Sequence, residues 1–471
     1  MIEALYEASE FSRCEKACKK AIKEDKTDLS PRIFLCHSLL SLKKYEKVIA
    51  QAGKALKLPT IAPADRGTFY NLKANAESRL GKAEAALVSY WKASKADPSR
   101  IDIKYAIALS YFRKNEFPLS LKLTLEILNS IGNSESEHFA EAMFLFSQLA
   151  DPKSSKDLLK SAPELASQKS SHSRLYFGLG NLFDQVGDYE KALENYRRAN
   201  SIQRKASKYD ITKDIQLMER YRDTFDEDYF NQKSSGPSVK PITPIFIIGM
   251  PRTGSSLLEN LLGAHSDIYQ GGEVSWLTDS LAKAVARYGN PSFDKMKELA
   301  TDNEFSSLIR ENYFSQVPTQ SKRYLTDKMP GNAFFLWLIK YAFPEAIVIA
   351  TQREKEAIVW SCYRTCFQVG HHYSESLLET RRYLEKHDGL VQFWGKMLGK
   401  NFIQLNYERL VEETQSQMGS ILDKLELARE PACFSSGSTT RAVDTASRVQ
   451  VTKPIYKDAN ENWKHYGGLF K

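Results

Sequence analysis

Pro244-Ile245-Phe246-Ile247-Ile248-Gly249-Met250-Pro251-Arg252-Thr253-Gly254-Ser255-Ser256 is the stretch on which the reading of this chain turns. An Ile-rich apolar run ends at Gly249. A short loop leads to Gly254 and two hydroxyl residues, and Leu257, Leu258, Leu261 and Leu262 then recur at helical spacing. A buried strand, a tight loop and a helix N-terminus in that order make a phosphate cradle. The first backbone N–H groups of a helix have no partner within it and point at whatever lies beyond its end.

Gly249 and Gly254 keep the spacing of a Walker A loop, but Ser255 stands where nucleotide-hydrolysing enzymes have lysine. The loop therefore suits a phosphate without suiting ordinary ATP chemistry. Around it, apolar strand candidates (Ile242–Ile248, Tyr324–Thr326, Ala346–Ala350, Phe402–Leu405 and, more weakly, the neighbourhood of Tyr269) alternate with helical patterns at 255–262, 305–314, 333–342, 354–367 and 374–397. That alternation predicts a parallel sheet covered on both faces, with ligand at the carboxyl ends of the strands.

The first two hundred residues carry a different pattern. Tyr176, Leu179, Gly180, Phe183, Gly187, Tyr189, Ala192, Tyr196 and Ala199 mark a helical hairpin whose small residues let two helices approach. The spacing resembles a tetratricopeptide repeat. Ala86 anchors a second copy, with Gly81, Leu87, Tyr90, Ala93 and Pro98 in register. Cys14, Val48 and Ser120 anchor weaker ones, with Phe11, Tyr45 and Phe117 three residues earlier. A degenerate copy falls between 135 and 168. The first copy starts inside its opening helix, which suggests truncation upstream. The expected layout is an all-α repeat solenoid over 1–205, a polar connecting helix (210–230) and the linker Ser234–Pro237 within 206–240, and an α/β domain over 241–471.

Composition bounds the function. At 471 residues the chain has room for two or more cores, and a net charge of +8 with no concentrated basic tract suits anionic ligands rather than nucleic acid. No apolar stretch reaches the ~20 residues of a membrane span and the N-terminus lacks a signal-peptide pattern. Six cysteines do not make a disulfide framework; Cys14/Cys18 and Cys362/Cys366 read as core thiols, which points to the cytoplasm.

Gly249–Leu258 resembles the 5′-phosphosulfate loop of sulfotransferases, which use 3′-phosphoadenosine 5′-phosphosulfate (PAPS). It is especially similar to tyrosylprotein sulfotransferases and to bacterial proteins joining tetratricopeptide repeats to a sulfotransferase domain. The resemblance implies an α/β P-loop-type fold, no metal, and a loop (Pro251, Arg252, Thr253, Gly254, Ser255, Ser256) that binds the 5′-phosphate through its backbone, with Arg252 serving the sulfuryl oxygens. Arg353 at a strand end and Ser361 eight residues on match the family's 3′-phosphate grip. An arginine and a hydroxyl two helical turns apart can hold one dianion. Glu273, in Gly271-Gly272-Glu273, aligns with the catalytic base, and a carboxylate can take the proton of an attacking hydroxyl. Lys328 matches the lysine that donates to the bridging oxygen, where charge builds on the leaving phosphate; Asp327 reads as orienting it. Ser447 and Tyr407 match a serine near the sulfate and a tyrosine lining the cofactor site.

Two departures qualify the likeness. Asn462 replaces a basic residue that precedes the tryptophan corresponding to Trp463, which weakens one 3′-phosphate contact unless Arg448, Lys457 or Lys464 substitutes. Ser275 and Asp279 replace arginines that hold acidic peptides, so a glycan or small-molecule hydroxyl competes with a peptide tyrosine as acceptor. His371 and His372 lack a third metal ligand and read as loop or acceptor-side residues. The expected function is an O-sulfotransferase whose repeats bind substrate or a protein partner. A P-loop kinase and a repeat scaffold with a degenerate transferase domain are the rival readings.

Overall fold

The computed structural model describes residues 1–59, 61–131, 136–161, 171–232, 242–318, 322–367, 370–435, 449 and 461–469. The chain divides into two compact units, Met1–Val186 and Gly187–Lys471.

The first unit is built of helices: Ile2–Glu7, Phe11–Glu24, Ser30–Ser41, Tyr45–Ala55, Pro63–Arg79, Ala83–Ala96, Ile101–Arg113, Phe117–Ile131, Glu137–Leu149, Pro152–Ser161 and Ser173–Gln185. The repeat register is visible in its burial. Cys14, Val48, Ala86 and Ser120 each occupy the fourth position of the second helix of a hairpin, and all are buried. The site demands a small or slender side chain because the paired helix lies against it. Ser120 meets the demand and satisfies its hydroxyl by donating to Ala108 O at 2.8 Å. In the described part of the segment where the degenerate copy is expected, the chain forms the helices Glu137–Leu149 and Pro152–Ser161.

Each of these hairpins turns on a residue with positive φ, two positions before its second helix: Ser9 (58°), Lys43 (56°), Gly81 (72°) and Asn115 (62°). A left-handed residue reverses the chain in one step, at a cost for any side chain bearing a Cβ. Glycine is the unstrained choice, yet it occupies only one of the four.

The second unit holds a five-stranded sheet, β1 (Thr243–Gly249), β2 (Ile268–Gln270), β3 (Tyr324–Asp327), β4 (Ile347–Gln352) and β5 (Phe402–Asn406), in the order β2-β3-β1-β4-β5 and parallel throughout. Strand alternation sorts its side chains into two cores. Phe246, Ile248, Leu325, Val348 and Ala350 pack on one face against the helices Asn303–Phe314, Leu336–Ala342 and Leu377–Leu398. Ile245, Ile247, Ile349 and Leu405 pack on the other against the helices Ser255–Gly263 and Thr414–Lys424. The chain passes from β3 to β4 across β1, so the crevice beyond the end of β1 is the topological switch point.

The segment 210–230 is not a polar connector. It forms two helices, Ile211–Thr224 and Glu227–Asn231, capped by Asp210 and Asp226. Met218, Phe225, Tyr229 and Phe230 enter the core on the first face of the sheet, where Phe225 stacks on Trp337 at 4.1 Å. Their spacing gives these helices one apolar stripe, which the charged residues between them conceal in composition. The linker Ser234–Pro237 lies outside the described residues.

One substitution made at two sites tests the repeat geometry. A Cβ at Gly53 or Gly81 would meet no atom within 4 Å. Gly53→Ala, inside the helix Tyr45–Ala55, should stabilise the protein by about 0.5–1 kcal/mol. Gly81→Ala, at φ 72°, should destabilise it by about 1 kcal/mol. Denaturant titration reads both, and equal signs would contradict the left-handed turn.

Candidate active site

The loop after β1 is shaped by two close approaches. Gly249 (φ 140°) faces Thr351 on β4, where an added Cβ would lie 2.6 Å from Thr351 O. Gly254 (φ 89°) faces Tyr407, where a Cβ would lie 2.2 Å from Cδ2 of the ring. No other residue fits either position. Between them Arg252 takes φ 72°, a conformation an arginine holds only when its surroundings over-determine it.

Those surroundings are specific. Thr253 Oγ1 lies 2.7 Å from both Met250 O and Thr351 Oγ1, and the Cys362 thiol donates to Pro251 O at 3.6 Å. The Thr253 hydroxyl is thus spent inside the protein, and Pro251, lacking an N–H, contributes only its carbonyl. The helix Ser255–Gly263 starts at Gly254 with no side-chain cap, and Ser255 and Ser256 open its buried first turn. The loop thus enters the helix through backbone alone, with the Gly254–Tyr407 contact on one side of it.

On the β4 side the predicted residues converge. Arg252 Nε donates to Ser361 Oγ at 2.9 Å, and Arg353 Nη1 donates to Arg252 O at 3.1 Å. The Arg353 guanidinium also lies over the Tyr407 ring at 4.7 Å. Two arginines expected at opposite ends of the nucleotide are therefore tied together through the loop. Asn462 has work of its own: its Oδ1 accepts from Trp360 Nε1 at 2.9 Å and from Arg364 Nη1 at 2.6 Å. Arg364, three residues beyond Ser361, is a cation that sequence reasoning passed over, although its distance from Ser361 was available as a signal. Ser447, with Arg448 and Lys457, lies outside the described residues.

On the β3 side a second cluster forms. Lys328, fully buried, donates from Nζ to Glu273 Oε1 at 2.5 Å, and the Glu273 side chain is 35% exposed. The main chains cooperate, since Lys328 N donates to Gly272 O at 3.1 Å. Asp327 does not orient Lys328. Its carboxylate accepts from Tyr313 OH at 3.1 Å and Asn332 Nδ2 at 2.9 Å, and burial pushes its pKa up to about 8. The residue beside Lys328 that sequence reasoning missed is Glu259, on the helix Ser255–Gly263. Its Oε1 accepts from Gly272 N at 2.8 Å and Thr326 Oγ1 at 3.0 Å, and its Oε2 lies 4.0 Å from Lys328 Nζ. Burial holds the Glu259 carboxyl above its ordinary range, partly offset by the Lys328 charge.

Among the acceptor-side candidates, Ser275 Oγ donates to Asp279 Oδ2 at 2.5 Å, both residues being exposed. His371 Nδ1 lies 3.0 Å from Tyr373 OH, and burial pushes the ring pKa down to about 4, which keeps it neutral.

Comparison with known proteins agrees with this architecture. Residues 244–431 match the model of the sulfotransferase family, and residues 173–205 that of the tetratricopeptide repeat. A protein of Aquifex aeolicus is 28% identical over 308 residues, covering 63% of this chain and 40% of that protein. A Caenorhabditis briggsae protein named "Putative protein-tyrosine sulfotransferase" is 24% identical over 195 residues, covering 39% of this chain and 65% of that protein. The chain thus spans less than two thirds of the length of either relative. Among solved structures, the sulfotransferase domain of the Synechococcus PCC 7002 olefin synthase is 19% identical, covering 50% of this chain and 91% of that chain, with a TM-score of 0.34. The chain carries tetratricopeptide repeats and a sulfotransferase-family domain.

The Asp327 site makes a prediction about pH. A carboxyl group is half-protonated near pH ~4 in an unfolded chain, but at about 8 here. The folded protein therefore keeps a proton that the unfolded chain releases. The stability this gives is complete below pH ~4 and is lost as pH rises through about 8. Asp327→Asn, neutral at every pH, should gain in Tm relative to wild type between pH 5 and pH 8. A Tm difference that does not change with pH would show that Asp327 is already ionised in the fold.

Proposed function

We propose that the second unit transfers a sulfuryl group from PAPS to an acceptor hydroxyl by in-line displacement. The observation that carries this reading is the Lys328–Glu273 pair at the carboxyl end of β3, beside an anion cradle that lacks the Walker lysine. When bound, PAPS supplies an activated sulfuryl group on a phosphate leaving group.

The backbone of 251–256 and the N-terminus of the helix Ser255–Gly263 hold the 5′-phosphate. Arg353 and Ser361, joined through Arg252, hold the 3′-phosphate, and Tyr407 lines the nucleotide site. The crowded Gly254–Tyr407 contact supports a fit to backbone-bound phosphate. Glu273, a third exposed, takes the acceptor proton; Lys328 donates to the oxygen that leaves sulfur, Arg252 to the sulfuryl oxygens, and Ser447 assists. The new bond joins acceptor oxygen to sulfur, the sulfur–oxygen bond to the 5′-phosphate breaks, and the proton rests on Glu273.

The acceptor side favours a glycan or small-molecule hydroxyl over an acidic peptide, because Ser275 and Asp279 pair with each other and offer no cation. The repeats provide a surface for a protein partner or an extended substrate. All six cysteines are thiols and five are buried, which supports a reducing compartment such as the cytoplasm. Among the described residues no helix is long and apolar enough to cross a membrane.

Calorimetry with 3′,5′-adenosine bisphosphate against ATP tests the donor, and tight magnesium-dependent ATP binding would overturn it. Transfer of radiolabelled sulfate from PAPS to peptides, glycans and phenols identifies the acceptor. Glu273→Ala should lower turnover by about 10²- to 10⁴-fold while leaving bisphosphate binding within about twofold. Full activity in that variant removes Glu273 from the mechanism.

A further inference from the structure

We propose that Glu259 is a positioning residue: the buried counter-charge that keeps Lys328 in place when Lys328 releases Glu273. The inference rests on the sulfuryl-transfer reading and assigns a second carboxylate to that site.

The resting geometry contains a conflict. The Lys328 N–H and the Glu273 Oε1 that meet at 2.5 Å are taken up by each other, and neither serves a leaving oxygen or an acceptor proton until that contact opens. Opening the contact, however, strands an ammonium group that is fully buried, and an isolated buried charge is strongly unfavourable. A second anion fixed beside Lys328 removes the conflict.

Glu259 is placed for that task. Its side chain is fully buried, and Oε2, 4.0 Å from Lys328 Nζ, has no hydrogen-bond partner among the described residues. A buried carboxylate oxygen without a donor is costly unless something draws on it. The carboxylate cannot turn away, because Oε1 is pinned by Gly272 N and Thr326 Oγ1. Lys328 thus stands between a half-open carboxylate that touches it now and a sealed one within a short swing. Burial raises the proton affinity of Glu259, and the lysine charge opposes that rise. The two buried groups are therefore coupled through a short, dry path.

A merely structural Glu259 would cap Gly272 N and Thr326, and glutamine can accept both hydrogen bonds through its own Oε1. The test is a cycle of Glu259→Gln, Lys328→Met and the double variant in the full chain. Thermal unfolding without nucleotide reads the pair alone. Lys328→Met should lower Tm by about 5 °C by orphaning the Glu259 charge, and adding Glu259→Gln should recover most of the loss. Additive Tm changes would overturn the pairing.

Sulfuryl transfer from PAPS reads the role. Glu259→Gln should lower kcat about tenfold with KM for PAPS within about twofold, and should cost nothing further in the Lys328→Met background. An equal loss in both backgrounds would make Glu259 a structural residue only. A wild-type protein with no PAPS turnover would refute the sulfuryl-transfer reading, while the Tm cycle still decides the pairing.

Discussion

The second unit depends on a pinch. Gly249 is pressed against the backbone of β4, and Gly254 against the ring of Tyr407, five residues further on and beyond β5. Between these contacts the chain must reverse, and it does so with Arg252 in a conformation that favours glycine. Thr253 and Thr351 join hydroxyls at the centre, so one pair of side chains ties the loop to its neighbouring strand. The helix beyond has its direction set by this arrangement. Its first turn faces the crevice, and its second turn carries Glu259 beneath the end of β3. The cradle and the buried acid are therefore set by one backbone path.

Charge in the site is divided across β1. Arginines gather on the β4 side, where a guanidinium can stack on an aromatic ring and donate to a main-chain carbonyl while remaining hydrated at its edge. The β3 side holds a lysine sealed from solvent and flanked by carboxylates. A compact ammonium in a dry setting exerts its charge over a short distance with little screening. Such a group suits a reaction in which negative charge appears on one oxygen, whereas the planar, wetter guanidinium groups suit an anion whose charge does not change.

Much of this was legible in the sequence, and the exceptions have physical causes. Cys14, Val48, Ala86 and Ser120 could be aligned because close helix packing restricts the side chain at that position. The left-handed turns could not, because Ser9, Lys43 and Asn115 carry no mark of positive φ; the hairpin imposes it. The strands were readable from their Ile-rich runs, and each site motif was placed at a strand end without knowledge of the strand order. That order is what the sequence withheld. Glu259 interrupts a leucine pattern and looks like a solvated helix face until β3 is known to lie beside β1. Asp327 and Lys328 are adjacent, and adjacency suggested partnership; at a strand end, successive side chains point to opposite sides. Met218, Phe225 and Tyr229 were hidden among charged neighbours, though they fill a core.

The helix Tyr189–Ser207 belongs by sequence to the last repeat and by contact to the second unit. Tyr196 meets Trp360 edge-on at 5.7 Å, Asn200 donates to Tyr363 O at 2.9 Å, and Arg204 pairs with Glu379 at 2.6 Å. Tyr189 stacks on His465 at 4.3 Å, and Tyr466 stacks in turn on Trp360 at 3.8 Å. The natural seam for dissection is therefore not the Ser/Gly/Pro linker. A fragment beginning there would bare aromatic surface on the helix that bears Ser361 and would take the Tyr189 ring away from His465 and Tyr466. In evolutionary terms, exchanging the repeats for another array would require keeping this helix, since it covers part of the second unit.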